Sequence, residues 1–260
     1  MTDSGVRPVK SALHAIEVLE FLAARPDQPA RMREIADATG IPRSSLYALL
    51  RTLTERGWVR RDPSGTLYSV GLRVLMTGTS YLDSDATLRA VKPWLERLNE
   101  TLDETVHLAR LDERDIVYLA TKESTQYLRV INRVGRRLPA STTSLGKALL
   151  AAQPLGELES HLYETLPRLT DFTITDRSAL EADLDGVRHR GYAIDLEENT
   201  LGLKCFGFVL PVQSPPIDAI SCSVPLARLS PEREQTIVET MAAAVREIAR
   251  QAPVGSLTVY

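Results

Sequence analysis

Residues 31–70, RMREIADATGIPRSSLYALLRTLTERGWVRRDPSGTLYSV, constrain the fold of this chain more than any other stretch, because two short helical repeats run straight into a two-residue repeat. Met32, Ile35, Ala36 and Thr39 recur at i, i+3, i+4 and i+7, the spacing of one helix face. Gly40 then offers the positive φ of a tight inter-helix turn, and Pro42 falls at a first-turn position where its missing N–H is harmless. Leu46, Leu49, Leu50 and Leu53 repeat the spacing, which turns Ser44, Ala48, Arg51 and Glu55 outward, flanked by Ser45 and Tyr47. After Gly57 the period becomes two: residues 58–61, a turn at Asp62-Pro63-Ser64-Gly65, and residues 66–70 read as a hairpin.

An amphipathic helix pair alone is commonplace in protein cores. Here it coincides with Gly-Ile-Pro at the turn, an outer face carrying Arg51, and a hairpin with Arg60 and Arg61 beside it. That conjunction predicts a winged helix-turn-helix whose second helix enters a major groove of double-stranded DNA. Ser44, Ser45, Tyr47 and Arg51 then face base edges, with Arg51 suited to bidentate contact with guanine, while Arg43, Arg60 and Arg61 serve phosphates or the minor groove beside the wing. The charge distribution agrees. Residues 1–75 hold 11 Lys/Arg against 8 Asp/Glu, whereas the remainder holds 20 against 26, so a net charge of −3 conceals a basic front and an acidic rear.

A chain of 260 residues, 43% hydrophobic and 25% charged, suits two modest domains of an ordinary globular protein. No run of 18 apolar residues and no charged-plus-apolar leader argues for membrane insertion or secretion, so a cytoplasmic location is expected. Cys205 and Cys222 lack CxxC spacing or a histidine cluster, which points to reduced, half-buried thiols rather than a zinc site or a disulfide framework. No cofactor signature is present.

Beyond the motif, Leu13, Ile16, Leu19 and Leu22 predict a preceding helix that completes a three-helix core. The expected division is a DNA-binding domain over residues 1–70, a linker helix over 71–84, and a second domain over 85–260. In the second domain a helix is expected over 85–102, a hairpin from 105–110 and 115–121, and a third strand at 128–134. Helices at 144–152 and 178–190 follow, with Asp176 as N-cap, then strands at 192–196, 203–212 and 217–224, and a closing helix at 231–252. Helices around a mostly antiparallel sheet make an α+β sensor-type domain.

Three stretches together resemble the isocitrate lyase regulator (IclR) family of bacterial transcription factors: the motif at 31–57; Ser144-Leu145-Gly146-Lys147-Ala148-Leu149-Leu150-Ala151; and Arg190-Gly191-Tyr192-Ala193-Ile194-Asp195-Leu196-Glu197-Glu198 leading to Gly202-Leu203-Lys204-Cys205. The resemblance implies a winged helix-turn-helix joined by a helix to a GAF-like effector domain, dimers through the DNA-binding part, and tetramers through the effector domains. It also implies a small organic acid as effector, held by Ser144, Leu145, Asp195, Cys205, Ser221 and Ser223, and a regulator of catabolic genes rather than an enzyme. Where many relatives carry small residues, this chain places the bulkier Leu145 after a hydroxyl-rich Thr142-Thr143 pair.

The residues support such a pocket on their own terms. A helix start at 144–147 leaves backbone N–H groups unpaired and a partial positive charge, a ready carboxylate site. Alternation puts Ser221 and Ser223 on one strand face and Cys222 on the other, and a neighbouring antiparallel strand can bring Cys205 to the serine face. Ser144 as a simple helix cap and Cys205 as simple filler remain open. Asp195 would repel a bound carboxylate unless protonated, so it reads a ligand hydroxyl, orders a donor, or forms an Asx turn. Glu197 and Glu198 read as a solvated acidic turn, Arg133, Arg136 and Arg137 as a solvated loop or an anion entrance, and His14, His107, His161 and His189 as isolated surface or core residues. Two other classes of function stay open: an enzyme tethered to DNA by its N-terminal domain, against which the missing nucleophile–base pair counts, and a winged helix that binds protein instead of DNA.

Overall fold

A computed structural model describes residues 8–25 and 27–251. The chain divides after Ser84 into two compact units. In the first, α1 (Lys10–Ala23), α2 (Met32–Thr39) and α3 (Arg43–Glu55) pack around Val18, Leu22, Ile35, Leu46 and Leu50. A small antiparallel sheet, in the order β1 (Ala30–Arg31), β3 (Leu67–Val70), β2 (Val59–Arg61), closes this core. Gly40 caps α2 in the left-handed region at φ 67°, the turn conformation its position calls for. Helix α4 (Leu72–Ser84) follows the hairpin and buries none of its residues within the unit.

Helix α1 departs from the expected stripe. Its buried residues are Val18 and Leu22, while Leu13 and Ile16 are about half exposed. The helix meets its unit along one side only, and the apolar residues on its other side are left uncovered in a single chain.

The second unit is built on a six-stranded antiparallel sheet in the order β6 (Arg137–Pro139), β5 (Asp115–Lys122), β4 (Thr105–Asp112), β9 (Asp218–Pro225), β8 (Leu203–Val209), β7 (Ala193–Leu196). Helices α6 (Ser144–Ala152) and α7 (Arg177–Arg190) share a core with one face of the sheet; α5 (Ala86–Leu102) and α8 (Pro231–Gln251) pack on each other and on the same strands. The last residue of the expected closing helix, Ala252, lies outside the described residues. Asp85 caps α5 by accepting from the Leu88 amide at 2.7 Å, and its other carboxylate oxygen pairs with Arg110, which also grips Asp218 with two nitrogens at 2.8 and 2.9 Å. One guanidinium thus ties the start of α5 to the two central strands.

The expected strand at 128–134 is absent; the edge strand is β6, three residues further on. Gly135, at φ 80°, turns the chain so that its amide donates to the Tyr118 carbonyl (2.8 Å) and the Tyr118 amide to the Arg136 carbonyl (3.0 Å), and pairing begins there. The preceding loop satisfies its backbone elsewhere: Leu128 and Val130 carbonyls accept from the Arg228 guanidinium and the Thr105 hydroxyl. Strand β8 ends at Val209 rather than at residue 212.

Candidate functional site

In the first unit, Arg43, Ser44, Ser45, Tyr47 and Arg51 are all exposed on α3, opposite the buried Leu46, Leu50 and Leu53. Arg51 is engaged in the unbound chain: its Nε donates to Glu55 one turn away at 2.9 Å. The wing is tightly made. Asp62 accepts from the amides of Thr66 and Leu67 at 2.9 and 2.8 Å and from Ser64, and the Ser64 hydroxyl bond first among these holds its carboxyl down at about 2. Arg60 donates to the Ser69 hydroxyl at 2.8 Å. Arg61 donates to the Gly65 carbonyl and lies 5.5 Å from the centre of the Tyr68 ring, so it shapes the wing turn as well as carrying charge.

In the second unit, strand register assembles two polar rows. Asp195 on β7 pairs with Cys205 on β8, Cys205 with Ser223 on β9, and Ser223 with Thr105 on β4. Two residues along, Gly207, Ser221, His107 and Thr121 form the second row. Directly opposed residues share a sheet face, so both rows point the same way. The start of α6 sits hard on this face. A Cβ at Gly207 would lie 2.2 Å from the Ser144 carbonyl oxygen, and one at Gly146 would lie 2.1 Å from that of Ala140. Only glycine permits either approach.

Thr143, not Ser144, caps α6: its hydroxyl accepts from the Gly146 amide at 3.0 Å, and its carbonyl takes the first helical bond, from Lys147. The amides of Ser144 and Leu145 precede those bonds. Both residues line a cavity with about 420 Å³ of empty space, counting the part open to solvent. All six residues expected at a ligand site, Ser144, Leu145, Asp195, Cys205, Ser221 and Ser223, line this one cavity. Cys222 is fully buried and is not among its lining residues.

Its electrostatics follow from burial. Desolvation, reinforced by the charge of Glu198, pushes the Asp195 carboxyl up to about 7, even though Oδ1 accepts from the Glu198 amide (2.8 Å) and the Asn199 amide (3.3 Å) in an Asx-type turn. Burial, with Asp195 nearby, raises the Cys205 thiol well above its ordinary range. Burial likewise raises the Tyr118 phenol, and it lowers His107 to about 3, with the Arg136 charge a second cause. Near neutral pH the walls are therefore uncharged thiol, phenol, imidazole and hydroxyl groups, one carboxyl poised to titrate, and the Arg136 guanidinium. Among the described residues no three His, Cys, Asp or Glu side chains gather as a metal site.

Several expectations need correction. Glu198 is not a solvated residue: it is buried and pairs with Lys147, itself only 1% exposed, which also meets Asp183 at 2.8 Å. Glu197 accepts from the Gly202 amide at 2.7 Å and so serves its turn. Arg136 is exposed yet lines the cavity, which is compatible with both readings of its loop, solvated or an anion entrance, and His107, read as isolated, lines the cavity too, as do Tyr118, Asn132 and Thr143. The alternation of Thr105 and His107 on an expected strand was the available signal for His107. The turn at Gly135 sets Arg136 at the cavity.

A basic winged helix-turn-helix carried in one chain with an α+β unit that holds a polar cavity at a helix N-terminus defines the class of two-part DNA-binding regulators. Residues 11–63 match the IclR helix-turn-helix domain and residues 79–250 the bacterial transcriptional regulator IclR C-terminal domain, and the chain belongs to the IclR family of transcriptional regulators. It is similar to the HTH-type transcriptional regulator KdgR of Escherichia coli, with 32% identity over 94% of this chain and 92% of that protein. A transcriptional regulator from Rhodococcus superposes with a TM-score of 0.78 at 30% identity, covering 94% of this chain and 98% of the other. An IclR homologue from Microbacterium hydrocarbonoxydans, solved in complex with 4-hydroxybenzoate, has the same fold at a TM-score of 0.74 and 24% identity, covering 92% and 98%. No helix among the described residues is long and apolar enough to cross a membrane.

Proposed function

We propose that this regulator binds a pseudo-palindromic operator as a dimer or a dimer of dimers, and that a small organic acid in the second unit's cavity alters that binding, so that genes for degrading such an acid respond to it. The observation that carries the reading is the convergence on one cavity of the α6 N-terminus and six side chains drawn from α6, β7, β8 and β9. A carboxylate at the Ser144 and Leu145 amides would take the positive end of the helix, with Ser221, Ser223 and Cys205 as neutral partners. The relative that binds 4-hydroxybenzoate supports an acid of this kind.

On the DNA side, Arg51 exchanges Glu55 for a base edge, which is inexpensive because the pair is exposed, while Ser44, Ser45 and Tyr47 complete the face and Arg43, Arg60 and Arg61 meet phosphates. The uncovered apolar residues Leu13 and Ile16 on α1 and Leu72, Leu75 and Met76 on α4 are the surface suited to pairing two DNA-binding units. The segment 71–84 is the proposed link between the two activities.

A thermal-shift panel of aromatic and aliphatic acids tests the reading. One or more acids should raise the Tm in proportion to the logarithm of concentration, and Ser221→Ala with Ser223→Ala should remove the shift while the ligand-free protein still binds duplex selected from a random library. No stabilising acid, or a normal response in the double variant, would refute the cavity assignment.

A further inference from the structure

His107 is 1% exposed, lies on the floor of the cavity, and has one nitrogen in use: Nδ1 meets the Thr121 hydroxyl at 3.0 Å. Its Nε2 is buried with no hydrogen-bond partner among the described residues. A buried polar nitrogen left unpaired costs stability, so one in a cavity wall points to something it receives there. The ring is held edge-on to Tyr118 at 5.2 Å, which leaves it little freedom to find a partner elsewhere.

We propose that His107 is a specificity-determining residue, whose Nε2 takes an uncharged oxygen, hydroxyl or keto, at the far end of the same acid whose carboxylate sits at the α6 N-terminus. The proposal rests on the carboxylate reading above and adds the second half of the ligand. Position supports it. The start of α6 lies over Gly207 on β8, whereas His107 is two strands away on β4, a lateral distance of roughly 10 Å at ordinary strand spacing. A ligand bonded at both ends therefore lies along the row that runs from β8 to β4.

Chemistry narrows the oxygen. The imidazole is neutral, held so by burial, and offers no charge to a second carboxylate. The Thr121 hydroxyl can either accept from Nδ1–H or donate to Nδ1, so Nε2 can present a lone pair to a hydroxyl or an N–H to a keto oxygen.

Calorimetric titration of the full-length protein with benzoate, 4-hydroxybenzoate and terephthalate, and with pentanoate and 4-oxopentanoate, decides the matter. The oxygenated member of at least one pair should bind about tenfold or more tighter than its parent, because a site built to bond an oxygen rejects the analogue lacking it. His107→Phe, which keeps an aromatic ring against Tyr118, should abolish that preference, bringing the oxygenated acid to the affinity of its parent in the same variant, with a cooperative urea-unfolding transition reporting correct folding. Independently of any variant, the ¹⁵N resonance of His107 Nε2 in the wild-type protein should move with the oxygenated acid and not with its parent. Equal affinities within both pairs, terephthalate as the tightest ligand, or a preference that survives in His107→Phe because Asp195 reads the oxygen would each overturn this assignment alone. Failure of all five acids to bind would overturn it together with the carboxylate reading.

Discussion

Arg51 with Glu55 on α3, and Lys147 with Glu198 and Asp183 around α6, are built from the same chemistry and stand in opposite circumstances. The first pair is one helical turn apart with both side chains more than 60% exposed; the second joins residues 51 apart in sequence, with the lysine 1% exposed. Solvent screens the first, so it adds little to stability and gives way at little cost when a base edge competes for the guanidinium. The second had to be stripped of water to form and cannot be dismantled piecemeal, because each partner left behind is a buried charge. The exposed face of α3, proposed to read DNA, is thus available for exchange, whereas the buried cluster around α6 is not.

The strongest challenge to this contrast is Lys147→Met. Removing the lysine leaves Glu198 buried without its counter-charge, and the second unit should lose about 3–5 kcal/mol in urea unfolding, with part restored by adding Glu198→Gln. A loss as small as that of Arg51→Ala would show that the buried cluster is no more structural than the exposed pair. Arg51→Ala should leave folding unchanged while weakening the selected duplex by roughly 10- to 100-fold, with specificity relaxed at one base pair. Arg60→Ala, by contrast, should weaken all sequences alike and flatten the salt dependence. Equal losses on specific and random duplex in Arg51→Ala would remove its base-reading role.

The smallest expected effect sharpens the comparison at Asp195, the one cavity carboxyl near its titration point. A bound carboxylate favours protonated Asp195, so binding should take up a proton above about pH 7, and affinity should fall by up to about tenfold per pH unit beyond it and level off below about pH 6. Asp195→Asn keeps an oxygen for the Glu198 and Asn199 amides and removes the charge, so its affinity for the same acid should be flat from pH 6 to 9 by calorimetry. A wild-type profile already flat over that range would mean that no ligand charge approaches Asp195.

What the sequence by itself determined is whatever depends on residues a few positions apart. The stripe Leu46, Leu50, Leu53, the turn at Gly40, the wing at Asp62, the Asp176 cap and the alternation of Ser221 with Ser223 are local periodicities and local bonds, and each is present at the expected place. That the six expected residues line one cavity was foreshadowed for a mixed reason: the family resemblance named all six, and alternation put the two serines on one strand face. Only the tertiary structure decided which charges and polar atoms lose their water. Glu198 reads as an exposed turn until Lys147 and Asp183 close on it, and Leu13 and Ile16 read as core until α1 is seen to bury its other side. His107 reads as isolated until register sets it beside Ser221 in the cavity wall. Burial is a property of surfaces brought together from distant parts of the chain, and no period of 2 or 3.6 residues carries information about that meeting.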